Sequence, residues 1–169
     1  LSPRPSIRSR MRRFAPSLPY QKLNFAALEV RNMRFIVAVD SSDESDKAVR
    51  HAASLAEPLG AEVELVHAIT PEIYSDEGQV LIEDMSDAEA RADTVLAESE
   101  EVAGEAGVEA TTESLYGDAA EEGAEYADET GADGVFVGHR GVSAEYEDVV
   151  GSVAQELVRK ATVPVTVVR

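Results

Sequence analysis

Three glycines and a serine carry the chemistry most open to reading in this chain. Gly138-His139-Arg140-Gly141 is followed by nine residues and then by Gly151-Ser152, a G-x2-G-x9-G-S spacing. Glycine lets backbone N–H groups approach an anion closely. A helix opening near Ser152 adds free N–H groups and the positive end of its dipole, and the Ser152 hydroxyl is a further donor. His139 could donate to a phosphate or shield the loop, and Arg140 could pair with phosphate charge or lie solvated. On its own the spacing fits both a phosphate cradle and a tight turn. Asp40 stands directly after an apolar run and before a helical pattern, where it either caps that helix or faces a ligand.

Other chemistries find little support. The chain has no cysteine, which removes disulfides, thiolate zinc sites and cysteine nucleophiles. Its three histidines, His51, His67 and His139, are scattered. His67 reads as packing or hydrogen-bonding at a strand end, and His51 as a surface or boundary residue. There is no G-x4-G-K-[ST] motif and no evident base and nucleophile pair, which argues for binding over catalysis.

The net charge of −18 is unevenly spread. Residues 1–32 hold seven of the fifteen Lys/Arg and one acid, leaving 8 basic against 32 acidic residues in 33–169. So acidic a region lacks the basic face that nucleic-acid binding requires. Scarce lysine and such acidity suggest a protein hydrated in a salt-rich cell, a halophilic adaptation. Residues 1–32, rich in Pro and Arg, read as a disordered basic arm, either an interaction tail or an upstream extension ahead of Met33. No run approaches the roughly 18 apolar residues of a membrane span, and no leader is evident, so the expected compartment is the cytoplasm without membrane partners.

The elements that must position these residues follow from periodicity. Phe35-Ile36-Val37-Ala38-Val39 is a continuous apolar run of the kind buried on both faces of a parallel sheet. Ser41, Ser42 and Asp43 offer caps for a helix that Gly60 stops. A second strand is expected over 62–68. Residues 69–85, with Pro71 and Gly78, read as a mobile connection without an element of its own. Ser86-Asp87-Ala88-Glu89 has the form of a capping box for a second helix. A strand over 108–115, a helix from Asp118, a strand at 134–137, a helix over 152–160 and a strand at 163–168 complete a βαβαβαβαβ order. Such alternation predicts an α/β fold, an open parallel sheet with helices on both faces, binding ligands beyond the carboxyl ends of its strands. Pro164 places the last strand at an edge, where pairing with a second subunit through Val163 to Val168 would cover it.

Over residues 33–169 the sequence resembles the universal stress protein family. The resemblance rests on Ile36-Val37-Ala38-Val39-Asp40, Val66-His67-Ala68, the G-x2-G-x9-G-S spacing, which resembles that of the ATP-binding subgroup, and the closing Val163-Pro164-Val165-Thr166-Val167-Val168. It implies five parallel strands in order 3-2-1-4-5 and a homodimer through the last strand. It also implies binding of ATP or AMP, with Mg2+ bridging the phosphates near Asp40. By position it points to Asp40, Ala68, Gly138, Gly141, Gly151 and Ser152, beside the candidates His139 and Arg140. Glu145, Glu147 and Asp148, inside the nine-residue spacer, would oppose a triphosphate and make affinity depend on salt or Mg2+.

Overall fold

Burial on both faces explains why the strands of the central sheet are short and apolar. In the computed structural model, which describes residues 31–76, 78–142 and 150–169, β1 (Arg34–Ala38) is followed by α1 (Asp43–Leu59) and β2 (Glu62–Ile69). A hairpin of β3 (Ile73–Asp76) and β4 (Gln79–Ile82) leads into α2 (Met85–Glu105). Then come β5 (Ala110–Tyr116), α3 (Ala119–Glu129), β6 (Gly134–Gly138), α4 (Ser152–Lys160) and β7 (Val165–Val168). The basic stretch up to residue 30 and the spacer acids Glu145, Glu147 and Asp148 lie outside the described residues.

Five strands form a parallel sheet in order β5-β2-β1-β6-β7, the expected 3-2-1-4-5 arrangement. Its two faces divide by residue parity, because successive side chains of a strand point to opposite sides. Phe35, Val37, Val63, Leu65 and Phe136 pack against α1 and α2, whereas Ile36, Val66, Val135 and Val137 pack against α3 and α4. The first face holds an edge-to-face pair, Phe35 and Phe136, at 5.2 Å between ring centres. Alanines line the buried faces of the helices, with Ala48, Ala52 and Ala56 on α1 and Ala120, Ala124 and Ala127 on α3. Short side chains bring helix and sheet close together. Among the described residues no helix is long and apolar enough to cross a membrane.

Two expectations need correction. Residues 69–85 are not an element-free connection, because β3 and β4 pair antiparallel, with Ile73 opposite Ile82 and Asp76 opposite Gln79, and turn near Gly78 at φ 82°. Four residues a side is too short a run for alternation to stand out from noise. The capping box at Ser86 is not formed either. Helix α2 begins earlier, at Met85 with Asp84 as N-cap, and has no side-chain cap bond there. The reason is the hairpin, whose base holds Glu83 by a bond from its backbone N to Glu72 O at 2.8 Å and so starts the helix immediately after it. Pro164 stands just before β7, where it lends its carbonyl to Val135 N at 2.9 Å.

Candidate functional site

The carboxyl ends of β2, β1 and β6 lie side by side in the sheet. Beyond them opens a cavity of about 420 Å3. It sits where the chain, having built β2 and β5 on one side of β1, returns to build β6 and β7 on the other, the usual ligand position in open parallel sheets. Seven of the eight residues expected from the sequence line it: Asp40, Ala68, Gly138, Arg140, Gly141, Gly151 and Ser152.

Each glycine of the pattern is there for closeness. None of the three has a left-handed φ. A Cβ on Gly138 would stand 2.8 Å from the backbone carbon of Glu44, so this glycine lets the end of β6 touch the first turn of α1. A Cβ on Gly141 would lie 2.6 Å from Asp40 Oδ2, and one on Gly151 would lie 3.3 Å from Arg140 Cα. The two halves of the pattern are bonded directly, Gly151 N donating to His139 O at 2.6 Å. Helix α4 opens at Gly151 without any side-chain cap. Its first-turn N–H groups and the Ser152 hydroxyl therefore form a donor set suited to a phosphoryl group.

Asp40 is the latch of this loop. Its Oδ1 accepts from Ser42 N at 3.0 Å and from the Ser42 hydroxyl, and its Oδ2 accepts from Val142 N at 3.1 Å. It does not cap α1; Ser42 does, its Oγ accepting from Ser45 N at 3.2 Å. The Mg2+ that the resemblance implies near Asp40 would find a single carboxylate here, its remaining ligands falling to nucleotide phosphates and water. Both of its oxygens already accept bonds, and among the described residues no group of three His, Asp or Glu side chains is placed to hold a metal.

His139 is the one expected residue that does not line the cavity. Its ring is not a wall of the cavity but is buried, with Nε2 accepting from Arg140 Nε at 2.9 Å, while its backbone N donates to Val168 O at 2.7 Å. Continuation of the β6–β7 pairing through that backbone turns the ring inward. Arg140 does line the cavity, but Nη2 donates to Glu44 Oε1 at 3.0 Å, and the two side chains are only 22% and 17% exposed. Burial alone would push the Glu44 carboxyl up. Its own backbone N–H and the charges of Arg140 and Lys47 outweigh that and hold it below the ordinary range.

The opposite end of the cavity was not anticipated. Glu72 and Arg91 line it. Arg91, on α2, grips Glu83 at the base of the hairpin through Nη2 at 2.8 Å and Nε at 3.3 Å, and donates to Thr70 O at 3.2 Å. Glu72 N donates to Glu83 Oε2 at 3.0 Å, closing the hairpin base. The hydrogen bond from Arg91 is the main reason that the Glu83 carboxyl lies below its usual range. A signal existed in the sequence, since Arg91 is among only eight basic residues in 33–169 and falls on a helix otherwise rich in Ala and Glu. His67, beside Ala68, is buried as expected at a strand end, with Nδ1 2.7 Å from Val39 O.

Fold and site together define an α/β protein with a glycine-lined cavity at the switch point of a five-stranded parallel sheet. The chain belongs to the universal stress protein family, whose sequence model matches residues 32–169. It is 32% identical over 146 residues to universal stress protein YxiE of Bacillus subtilis (strain 168), covering 80% of this chain and 98% of that one. Among solved structures it is similar to a universal stress protein from Archaeoglobus fulgidus, with a TM-score of 0.67 and 25% identity, over 82% of this chain and 100% of that one. It is likewise similar to a universal stress protein in complex with cAMP, with a TM-score of 0.61 and 25% identity, over 81% and 96% of the two chains.

Proposed function

We propose that this chain is an adenine-nucleotide-binding stress-response protein, a cytoplasmic regulator that binds AMP or ATP and works as a homodimer. One observation carries the reading. The separated residues Asp40, Ala68, Gly138, Gly141, Gly151 and Ser152 converge on a single cavity at the strand ends, with a glycine wherever a side chain would block close approach. The similar protein in complex with cAMP adds support, since an adenine nucleotide occupies a protein of this fold. In this reading the backbone about Ala68 meets the base, and the first turn of α4, with Gly141 and Ser152, holds phosphate. Binding is favoured over catalysis because the cavity walls among the described residues offer no lysine, and Asp40 is committed to the loop.

The dimer reading rests on β7, which closes one edge of the sheet with Val165, Val167 and Val168 only half-buried. Such an edge invites pairing with a second copy. Light scattering should report a dimer that Val167→Lys converts to monomer.

Calorimetric titration of the full chain with AMP and ATP tests the nucleotide reading. Binding should weaken at least about tenfold in Gly141→Val, whose side chain collides with the Asp40 latch. A parent protein that binds neither nucleotide sinks the proposal. Steady turnover of about 1 per second or faster would instead make the protein an enzyme.

A further inference from the structure

The charges around the cavity point to a narrower ligand class. Resting on the nucleotide reading above, we infer that the site is built for a nucleoside monophosphate, as the monoester or the cyclic diester, and discriminates against the triphosphate.

At the glycine end the anion meets backbone N–H groups, one hydroxyl and the N-terminus of α4, which together act like roughly half a positive charge plus hydrogen bonds. Of the cations in that neighbourhood, Arg140 is matched by Glu44 at 3.0 Å and further tied to His139 at 2.9 Å, and Lys47 lies 3.8 Å from the same Glu44 carboxylate. The Asp40 carboxyl group is bonded to the loop and stands beside Gly141. At the hairpin end Arg91 is matched by Glu83 at 2.8 Å, with Glu72 at 3.8 Å. Counting the walls and the groups paired with them, the described residues set four carboxylates, Asp40, Glu44, Glu72 and Glu83, against two guanidiniums and the half-exposed Lys47 ammonium.

An adjoining recess deepens the imbalance. It shares Asp40 and Ser41 with the cavity and is lined by Asp46, Glu98, Glu101 and Glu105, of which Glu105 pairs with Arg50 at 2.8 Å. A phosphomonoester brings about two negative charges. The helix terminus and its donors offset part of that charge by hydrogen bonds to the one phosphoryl group they reach. Each further phosphoryl group adds charge for which no wall residue among the described ones supplies a free cation. In about 0.1 M salt the Debye length is about 10 Å, so acids across the cavity are felt; at about 1 M it is about 3 Å, and they are not.

The test measures affinities of AMP, cAMP and ATP for the full chain in EDTA at low and high KCl, counting only the binding that Gly141→Val removes. AMP should bind about tenfold more tightly than ATP in about 0.1 M KCl, and the gap should close to about threefold or less in about 1 M KCl. Glu44→Gln, which releases Arg140 from its carboxylate, should reduce the AMP-to-ATP preference about threefold, a change that a merely structural role would not produce. ATP binding as tightly as AMP in low salt, or a preference unaltered by salt and by Glu44→Gln, would overturn the inference while leaving the nucleotide reading intact. Binding of no adenine nucleotide at all would overturn both.

Discussion

The two ends of the cavity are built by different means. At the glycine end the wall is backbone: β6 runs against α1 at Gly138, the loop folds under Asp40 at Gly141, and α4 starts against Arg140 at Gly151. At the hairpin end the wall is side chain: Arg91 reaches across from α2 to tie Glu83, Thr70 and Glu72 into one knot. A backbone wall is intolerant of any added atom, because interiors are close-packed and the main chain yields little. A charged wall tolerates shape changes but depends on ionisation and on both partners being present. The first end suits a fixed recognition element such as phosphate. The second suits adjustment, and its hairpin carries exposed Ile73, Val80 and Ile82 on the outside.

This contrast can be broken most severely at Gly138. Gly138→Ala should cost about 3 kcal/mol in chemical denaturation, since the new methyl meets the Glu44 backbone at 2.8 Å and 2.9 Å, not a side chain that could swing away. A loss below about 1 kcal/mol would show that the backbone end is softer than described. Arg91→Ala should cost less in the same measurement, by leaving the Glu83 carboxylate without its cation. Amide exchange should accelerate selectively in β3 and β4, while Gly141 and Val142 stay as protected as in the parent. Equal acceleration at both ends would erase the distinction.

Tyr126 provides the smallest effect and a control remote from either end. Its hydroxyl donates to Glu64 at 2.9 Å, and burial, followed by that bond and the Glu64 charge, pushes its pKa up to about 12 from 10.0. The folded state therefore holds this proton more tightly than the unfolded state. The resulting stability is present below pH 10 and is lost as pH rises toward 12. Tyr126→Phe should lower stability by about 1 kcal/mol at neutral pH and abolish this part of the alkaline fall, with nucleotide affinity unchanged. Altered affinity would mean that the cavity is coupled to the distant end of α3.

Much of the site was legible because its key residues are glycines and strand ends. A glycine pattern after an apolar strand states where the backbone must come close, and Asp40, Ala68 and Gly138 mark strand ends by position alone. For His139, residue type alone did not say whether the ring faces a ligand or packs behind the loop. Only the continued pairing of its backbone with Val168 shows the ring turned inward. Arg140 lines the cavity, but its commitment to Glu44, 96 residues away, was not visible in the sequence. The hairpin escaped notice because four-residue strands carry too little periodicity, and with it went Glu72, Glu83 and the role of Arg91.

Local pattern determined the alternation of strands and helices, the caps at Ser42 and Asp118, the stop at Gly60 and the positions where backbone must approach backbone. These depend on φ/ψ preference, burial and period, which neighbouring residues specify among themselves. Tertiary structure alone decided which polar groups meet: Arg140 with Glu44 and Arg91 with Glu83 as ion pairs, and Asp40 with the Val142 backbone N–H as a hydrogen bond. Coulomb energies depend on distance in space, and in a chain with 33 acids no sequence rule selects the one that will stand 3 Å from a given arginine.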